Sequence, residues 1–293
     1  MKNTQFRGVR DLRRDEAGAA SRAPAARWRR LAHDIWPPAL AFAAVIGVWD
    51  FASQVLVSKA NTLPGSSFTG PLPGPWLVVR STWNDRSNLW QAMWTTIREV
   101  VFGVLIAVVI AVLLAIAIDW SRSFRRSIYP LMVVSQTMPI IALAPLVVIW
   151  FGFGTEPKIA LIALFTFFAI AVGLVQGLAS SDPDAMDLLR TMGASRLQLL
   201  LRVRLPSALP QFFTGLKVSI TFSFVSAILA EYVGATQGLG VYMQTNYRGF
   251  RNDLVFGAVI VTALLTLLLF GLVVALERLS MPWRRPAQTD TRW

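Results

Sequence analysis

The chain holds a single histidine, His33, and no cysteine. Those two counts remove most covalent chemistry: there is no thiolate nucleophile, no thiolate metal ligand and no disulfide, and one imidazole beside a basic tail reads as a solvated surface group. Asp50 lies inside a long apolar run and Glu231 near the outer end of another, and Lys217 is the base within that second run. No acidic pair is clustered there for general acid–base work. What remains is lining and binding chemistry. Gln136, Thr137 and Pro139 interrupt one apolar run, and Ser219, Ser223 and Glu231 another. Polar groups and proline-freed carbonyls in hydrocarbon need partners or water. Kinked helix packing is one reading of these positions; lining a solute path is the other, and the one we favour. Gly215 and the neighbouring hydroxyl residues also permit close helix approach.

A second patterned stretch is "SSDPDAMDLLRTMGASRLQLLLRVRLP", residues 180–206. Asp182 suits an N-cap and Pro183 the first helical position. Stepping about 100° per residue places Asp184, Asp187, Arg190 and Thr191 on one side, and Ala185, Met186, Leu188, Leu189 and Met192 on the other. Gly193 stands where a left-handed glycine ends a helix. So short a helix needs a surface to receive its apolar side. The headgroup layer offers one and a groove on a soluble partner another. Beyond Ala194, Ser195 caps a second expected helix running through Val203 and ended by Leu205–Pro206.

These segments are positioned by six apolar blocks, at about 35–56, 100–118, 129–151, 159–179, 209–230 and 254–276. Each is near the ~20 residues that cross a bilayer as a helix. With 55% hydrophobic and 15% charged residues, the chain reads as an all-α polytopic membrane protein. The strict alternation of an outer-membrane barrel is missing. With both termini inside, twenty of the 28 basic residues fall on the inner side and seven outside, as the positive-inside rule asks. The net charge of +12 is then explained by topology and anionic headgroups, and nucleic acid is not needed. "GFGTEPK" (152–158) lacks the spacing of a phosphate loop, so the chain carries no nucleotide site of its own. Trp76, Trp83, Trp90 and Trp94 read as an interfacial aromatic belt.

Asp187, Gly193, Val203 and Leu205–Pro206 keep the spacing of the E-A-A-x3-G-x9-I-x-L-P signature, and the chain resembles ABC importer permeases in them. Aspartate stands for the glutamate, and Leu188 and Leu189 for two alanines. "MPIIALAPLVVIWFGFG", "MGASR", "LPSALPQFFTGLKVSIT", "AEYVGATQGLG" and "LERLSMPW" are similar to the nitrate, sulfonate, taurine and thiamine-precursor pyrimidine branch. The resemblance implies a type I importer permease fold with six transmembrane helices, both termini inside, in the cell membrane. It divides the chain into a basic cytoplasmic segment 1–34, a first span 35–56, an external loop 57–89, a permease core 90–280 containing a coupling segment 180–208, and a tail 281–293. It implies a non-catalytic subunit that binds no cofactor, beside two copies of an ATPase that uses ATP, a second permease copy and an external solute-binding protein. Residues 183–193 become the coupling helix, with Asp184, Asp187, Leu188, Leu189, Arg190, Met192, Gly193, Ala194 and Ser195 toward the ATPase. The implied solute is a thiamine-precursor pyrimidine of the hydroxymethylpyrimidine type, then riboflavin, a sulfonate or taurine, or nitrate. An ion-coupled secondary transporter is the alternative; it predicts two similar halves and mid-membrane charges, and no internal repeat is visible.

Overall fold

The computed structural model describes residues 36–37, 40–55 and 71–282. The basic segment 1–34 with His33, and most of the tail 281–293, lie outside the described residues. The chain divides into a small unit, Met1–Ser66 with Gly70–Trp76, and a large one from Leu77 onward that also takes in Ser67–Thr69. In the small unit α1 (Leu40–Val55) is an apolar helix. Asp50 accepts a hydrogen bond from Gln54 Nε2 one turn on, at 2.8 Å, within its own helix. Trp49 Nε1 donates to the Pro73 carbonyl at 3.1 Å.

Helix α2 (Pro75–Asn84) leads into α3 (Arg86–Trp120). At 1.5 Å per residue, the 35 residues of α3 extend about 52 Å, well beyond a hydrocarbon core of ~30 Å. The expected span 100–118 is therefore the charge-free part of a longer helix. The block 129–151, expected as one span, is broken into α4 (Arg122–Thr137) and α5 (Ile140–Phe151), bent by 104°. The break falls at Met138 and Pro139, both extended (ψ 127° and 125°). A residue before proline is pushed out of the helical region, and proline donates no bond across the gap. Pro130 and Pro145 are tolerated within α4 and α5.

Helix α6 (Glu156–Ala179) starts with Pro157 in its first turn and is the centre of the bundle. Fourteen of its 24 residues are buried, with α3 on one side and α8 on the other. The short α7 (Pro183–Thr191) follows. Helix α8 then runs unbroken over Arg196–Gly234, with a π-helical stretch at Leu200–Arg204 before the α-helical body Leu205–Gly234. The expectation that Pro206 ends a separate helix is corrected here. Leu205 N–H donates to the Leu200 carbonyl five residues back, so the wider turn absorbs the ladder position that proline cannot fill. Helices α9 (Leu239–Arg248) and α10 (Asn252–Ser280) complete the described chain. Four helices, α3, α6, α8 and α10, are long and apolar enough to cross a membrane, and α4 with α5 makes a fifth if the pair is one broken span. The first expected block, 35–56, holds α1, a shorter apolar helix of 16 residues.

The α6–α8 contact is made by small residues. A Cβ on Gly173 would stand 2.5 Å from the Gln211 carbonyl, and one on Gly177 would stand 2.7 Å from Ala208 Cα. Gly215 meets the Ala169 backbone in the same way. Close backbone approach of this kind replaces the hydrophobic effect as the source of helix association in lipid. Ser219 Oγ adds a bond to the Thr166 carbonyl of α6 at 2.6 Å.

Charged residues tie the helix ends together. Lys158 of α6, buried, pairs with buried Glu99 of α3. Glu231 of α8 lies beside them; it accepts from Thr96 Oγ1 at 2.6 Å and from Gly240 N–H at 2.5 Å, anchoring α9. An acidic pair within the helices, not expected from the sequence, is thus present. At the other end Arg204 makes a bidentate pair with Asp119 at 2.5 Å and donates to the Leu178 carbonyl. Lys217 of α8 pairs with Glu277 of α10 at 2.5 Å. On α9, Tyr242 donates to Asp85 Oδ2 at 2.6 Å. Burial pushes its hydroxyl above the usual tyrosine range, and the bond to the Asp85 carboxylate pushes the same way.

Candidate functional site

The segment 180–208 is built around α7. Asp182 accepts a hydrogen bond from Asp184 N–H at 3.0 Å, and Pro183 takes the first turn, where no donor is needed. The helix ends at Gly193 with φ +82°. Gly193 N–H reaches the Arg190 carbonyl at 2.9 Å and Ala194 N–H the Leu189 carbonyl at 3.0 Å. These two bonds form the Schellman closure that a left-handed residue permits. Ser195 then opens α8 with a reciprocal cap: its Oγ accepts from Gln198 N–H, and Gln198 Oε1 accepts from Ser195 N–H.

The two expected sides of α7 separate further in three dimensions. Ala185, Met186 and Leu189 are half-buried, whereas Leu188 and Met192 are 63% and 73% exposed. Asp184 is exposed, and Asp187 pairs with Arg190 at 2.9 Å in solvent. Val203, Leu205 and Pro206 are half-buried on α8. The polar side is therefore held in one orientation, while Leu188 and Met192 project apolar surface away from the bundle.

The second element is a cavity of about 610 Å3 along the α6–α8 pair. Its wall includes Gln136 and Ile140 from the broken pair, Phe165, Phe168 and Gln176 from α6, and Gln211, Thr214 and Phe222 from α8. No charged side chain lines it among the described residues. Gln136 also donates to the Leu164 carbonyl at 3.3 Å. Ser219 borders the cavity but is only 1% exposed. Thr137 is bonded to the Val134 carbonyl in its own helix, and Pro139 sits at the break. Ser223 is bonded to the Ile220 carbonyl, and Glu231 belongs to the Glu99–Lys158 cluster. Of the six pathway candidates, the structure thus brings Gln136 and Ser219 to the cavity and holds the other four elsewhere. Gln176 and Gln211 were not singled out from sequence, although each is an amide facing an otherwise apolar helix, which is the signal that marked Gln136.

A broken helix pair, a tight helical core and a short capped helix between spans together define the fold of type I ABC importer permeases. The methionine ABC transporter MetNI, in an inward-facing form, has the same fold over 70% of this chain and 96% of its own, with a TM-score of 0.55 at 21% identity. Residues 103–281 match the model of the binding-protein-dependent transport system inner membrane component, and the chain belongs to that family. It is 32% identical to the formylaminopyrimidine transport permease protein ThiX of Halalkalibacterium halodurans, over 85% of this chain and 96% of that protein. It is 36% identical to the riboflavin transport system permease protein RibX of Chloroflexus aurantiacus, over 72% and 80%. The taurine transport system permease protein TauC of Escherichia coli is 32% identical over 69% and 74%. The chain is an inner-membrane ABC importer permease subunit, non-catalytic, with ATP hydrolysis carried by a separate ATPase. The ion-coupled alternative receives no support.

Proposed function

We propose that this permease imports an uncharged heteroaromatic solute of the thiamine-precursor pyrimidine type, with riboflavin the next choice. The observation that carries the reading is the cavity wall: Phe165, Phe168 and Phe222 offer ring faces, and Gln136, Gln176 and Gln211 offer amides that donate and accept. A sulfonate, taurine or nitrate calls for cationic or densely polar donors, which this wall lacks. The relatives named for formylaminopyrimidine and riboflavin transport support the same class. The chain pairs with a second copy and receives solute from an external binding protein, and each copy docks its α7 in a groove of one of two cytoplasmic ATPases. Exposed Leu188 and Met192 fill that groove, and the Asp187–Arg190 side fixes the helix orientation.

The test is uptake by the reconstituted assembly with its binding protein. Aminopyrimidines should compete for ATP-dependent uptake and taurine should not; equal competition by taurine would discard the substrate class. For the coupling segment, Gly193→Val forces a β-branched residue into the left-handed region without any neighbouring clash, since nothing lies within 4 Å of a Cβ there. The variant should insert normally and lose the ATPase on purification, whereas Gly193→Asn keeps it. ATPase retained by the valine variant would remove α7 from the coupling role.

A further inference from the structure

A second cavity, of about 480 Å3, lies where the end of α3 meets α7 and the start of α8. Three arginines and one aspartate line it: Arg190, Arg196, Arg204 and Asp119. Arg204 and Asp119 neutralise each other through their bidentate pair, and Arg190 is engaged by Asp187 at the exposed side. Arg196 has no acidic partner among the described residues. The remaining wall is apolar, with Ile116, Trp120, Met186 and Leu200. Trp120 is exposed at the last residue of a membrane-crossing helix, the position where indole rings meet the headgroup layer.

Cationic donors over an aliphatic floor, at the edge of a span, match one kind of molecule. We propose that this pocket holds an acidic phospholipid of the inner leaflet, its phosphate on Arg196 and the start of its acyl chains along Trp120 and Ile116. The inference rests on the reading that α7 faces the cytoplasm, where the leaflet carries negative charge. A soluble phosphate ester would use the arginines but not the aliphatic floor. The ATPase is the other candidate to cover this end, but of the residues assigned to its contact only Arg190 lines the pocket. Because the lining spans α3, α7 and α8, a bound lipid would brace the coupling helix against the core.

The experiment uses the full permease–ATPase complex, delipidated in detergent and then exposed to phosphatidylglycerol, phosphatidylcholine or inorganic phosphate. Retained lipid is counted by native mass spectrometry and the thermal midpoint is followed in parallel. Phosphatidylglycerol should be retained and should raise the midpoint, with phosphatidylcholine and phosphate weaker. Arg196→Gln should reduce phosphatidylglycerol retention about fivefold, the factor for about 1 kcal/mol per basic residue near an anionic surface. Arg202→Gln removes the same charge from an exposed arginine outside the pocket and should leave retention unchanged. Equal losses in the two variants would mean diffuse surface attraction and overturn the site. Phosphate acting as well as the lipid would overturn the lipid assignment, and so would retention seen only after the ATPase is stripped away. If Arg196→Gln fails to fold, Trp120→Ala, at an exposed position, should lower retention; unchanged retention there overturns the proposal. Loss of ATPase from the wild-type complex would instead count against the coupling reading, whatever the lipid does.

Discussion

Lys158 shows how much a single buried charge can decide. Its partner Glu99 is 1% exposed, and Glu99 Oε2 has no hydrogen bond among the described residues. Removing the lysine would leave an uncompensated buried carboxylate, worth about 3–5 kcal/mol. Lys158→Met should therefore abolish recovery of folded protein, and adding Glu99→Leu should restore much of it; thermal unfolding in detergent reads both. If the double variant is no better than the single one, the pair is not the reason for the loss. Tyr242 gives a pH dependence. Its folded-state pKa lies above the unfolded value of about 10, so the protonated hydroxyl is favoured by folding. The stability it contributes is complete below pH about 10 and is lost as pH rises through the folded value. Tyr242→Phe should remove that alkaline component and cost about 1 kcal/mol at neutral pH. Equal alkaline curves for the two proteins would exclude the bond to Asp85 as its source.

At the level of elements, α7 was legible almost cap to cap, because Asp182, Pro183 and Gly193 act through local backbone chemistry that a sequence displays. The helix beyond it was not. Pro206 reads locally as a stop, yet the π turn at Leu200–Arg204 carries the chain through it, and nothing local announces that turn. Span 129–151 failed for a related reason: three prolines interrupt the region, and packing decides which one breaks it. The Glu99–Lys158–Glu231 cluster was missed because its members are 59 and more residues apart in the chain, each at the end of an apolar block where a charge normally faces water. Gly173 and Gly177, four residues apart on one side of α6, likewise read as ordinary small residues. The backbone contacts at Gly173 and Gly215 predict that Gly215→Val separates α6 from α8. Folded yield by size exclusion should collapse, while Gly271→Val on α10, with nothing within 4 Å of a Cβ, should be tolerated. Similar yields would show that the seam can relax.

For the whole molecule, the family and fold were readable from block lengths and the connector spacing, while the solute-facing residues needed three dimensions. Only Gln136 and Ser219 of the sequence candidates border the cavity; Gln176 and Gln211 join them across the α6–α8 contact. In this naturally cysteine-free chain, cysteines at Gln176 and Gln211 should react with small polar thiol reagents in at least one nucleotide state of the assembly. A cysteine at Ser223, fully buried, should stay unreactive in all of them. Protection at both glutamine positions throughout would remove the cavity from the solute path. The clamped ends of α3 carry a mechanical consequence. Glu99 fastens it to α6 and Asp119 to α8, twenty residues or about 30 Å apart, so these three helices cannot slide along one another. They form a stiff unit whose member α8 starts three residues after Gly193, so that under the coupling role proposed for α7 a push delivered there would reach the far rim as movement of the whole trio.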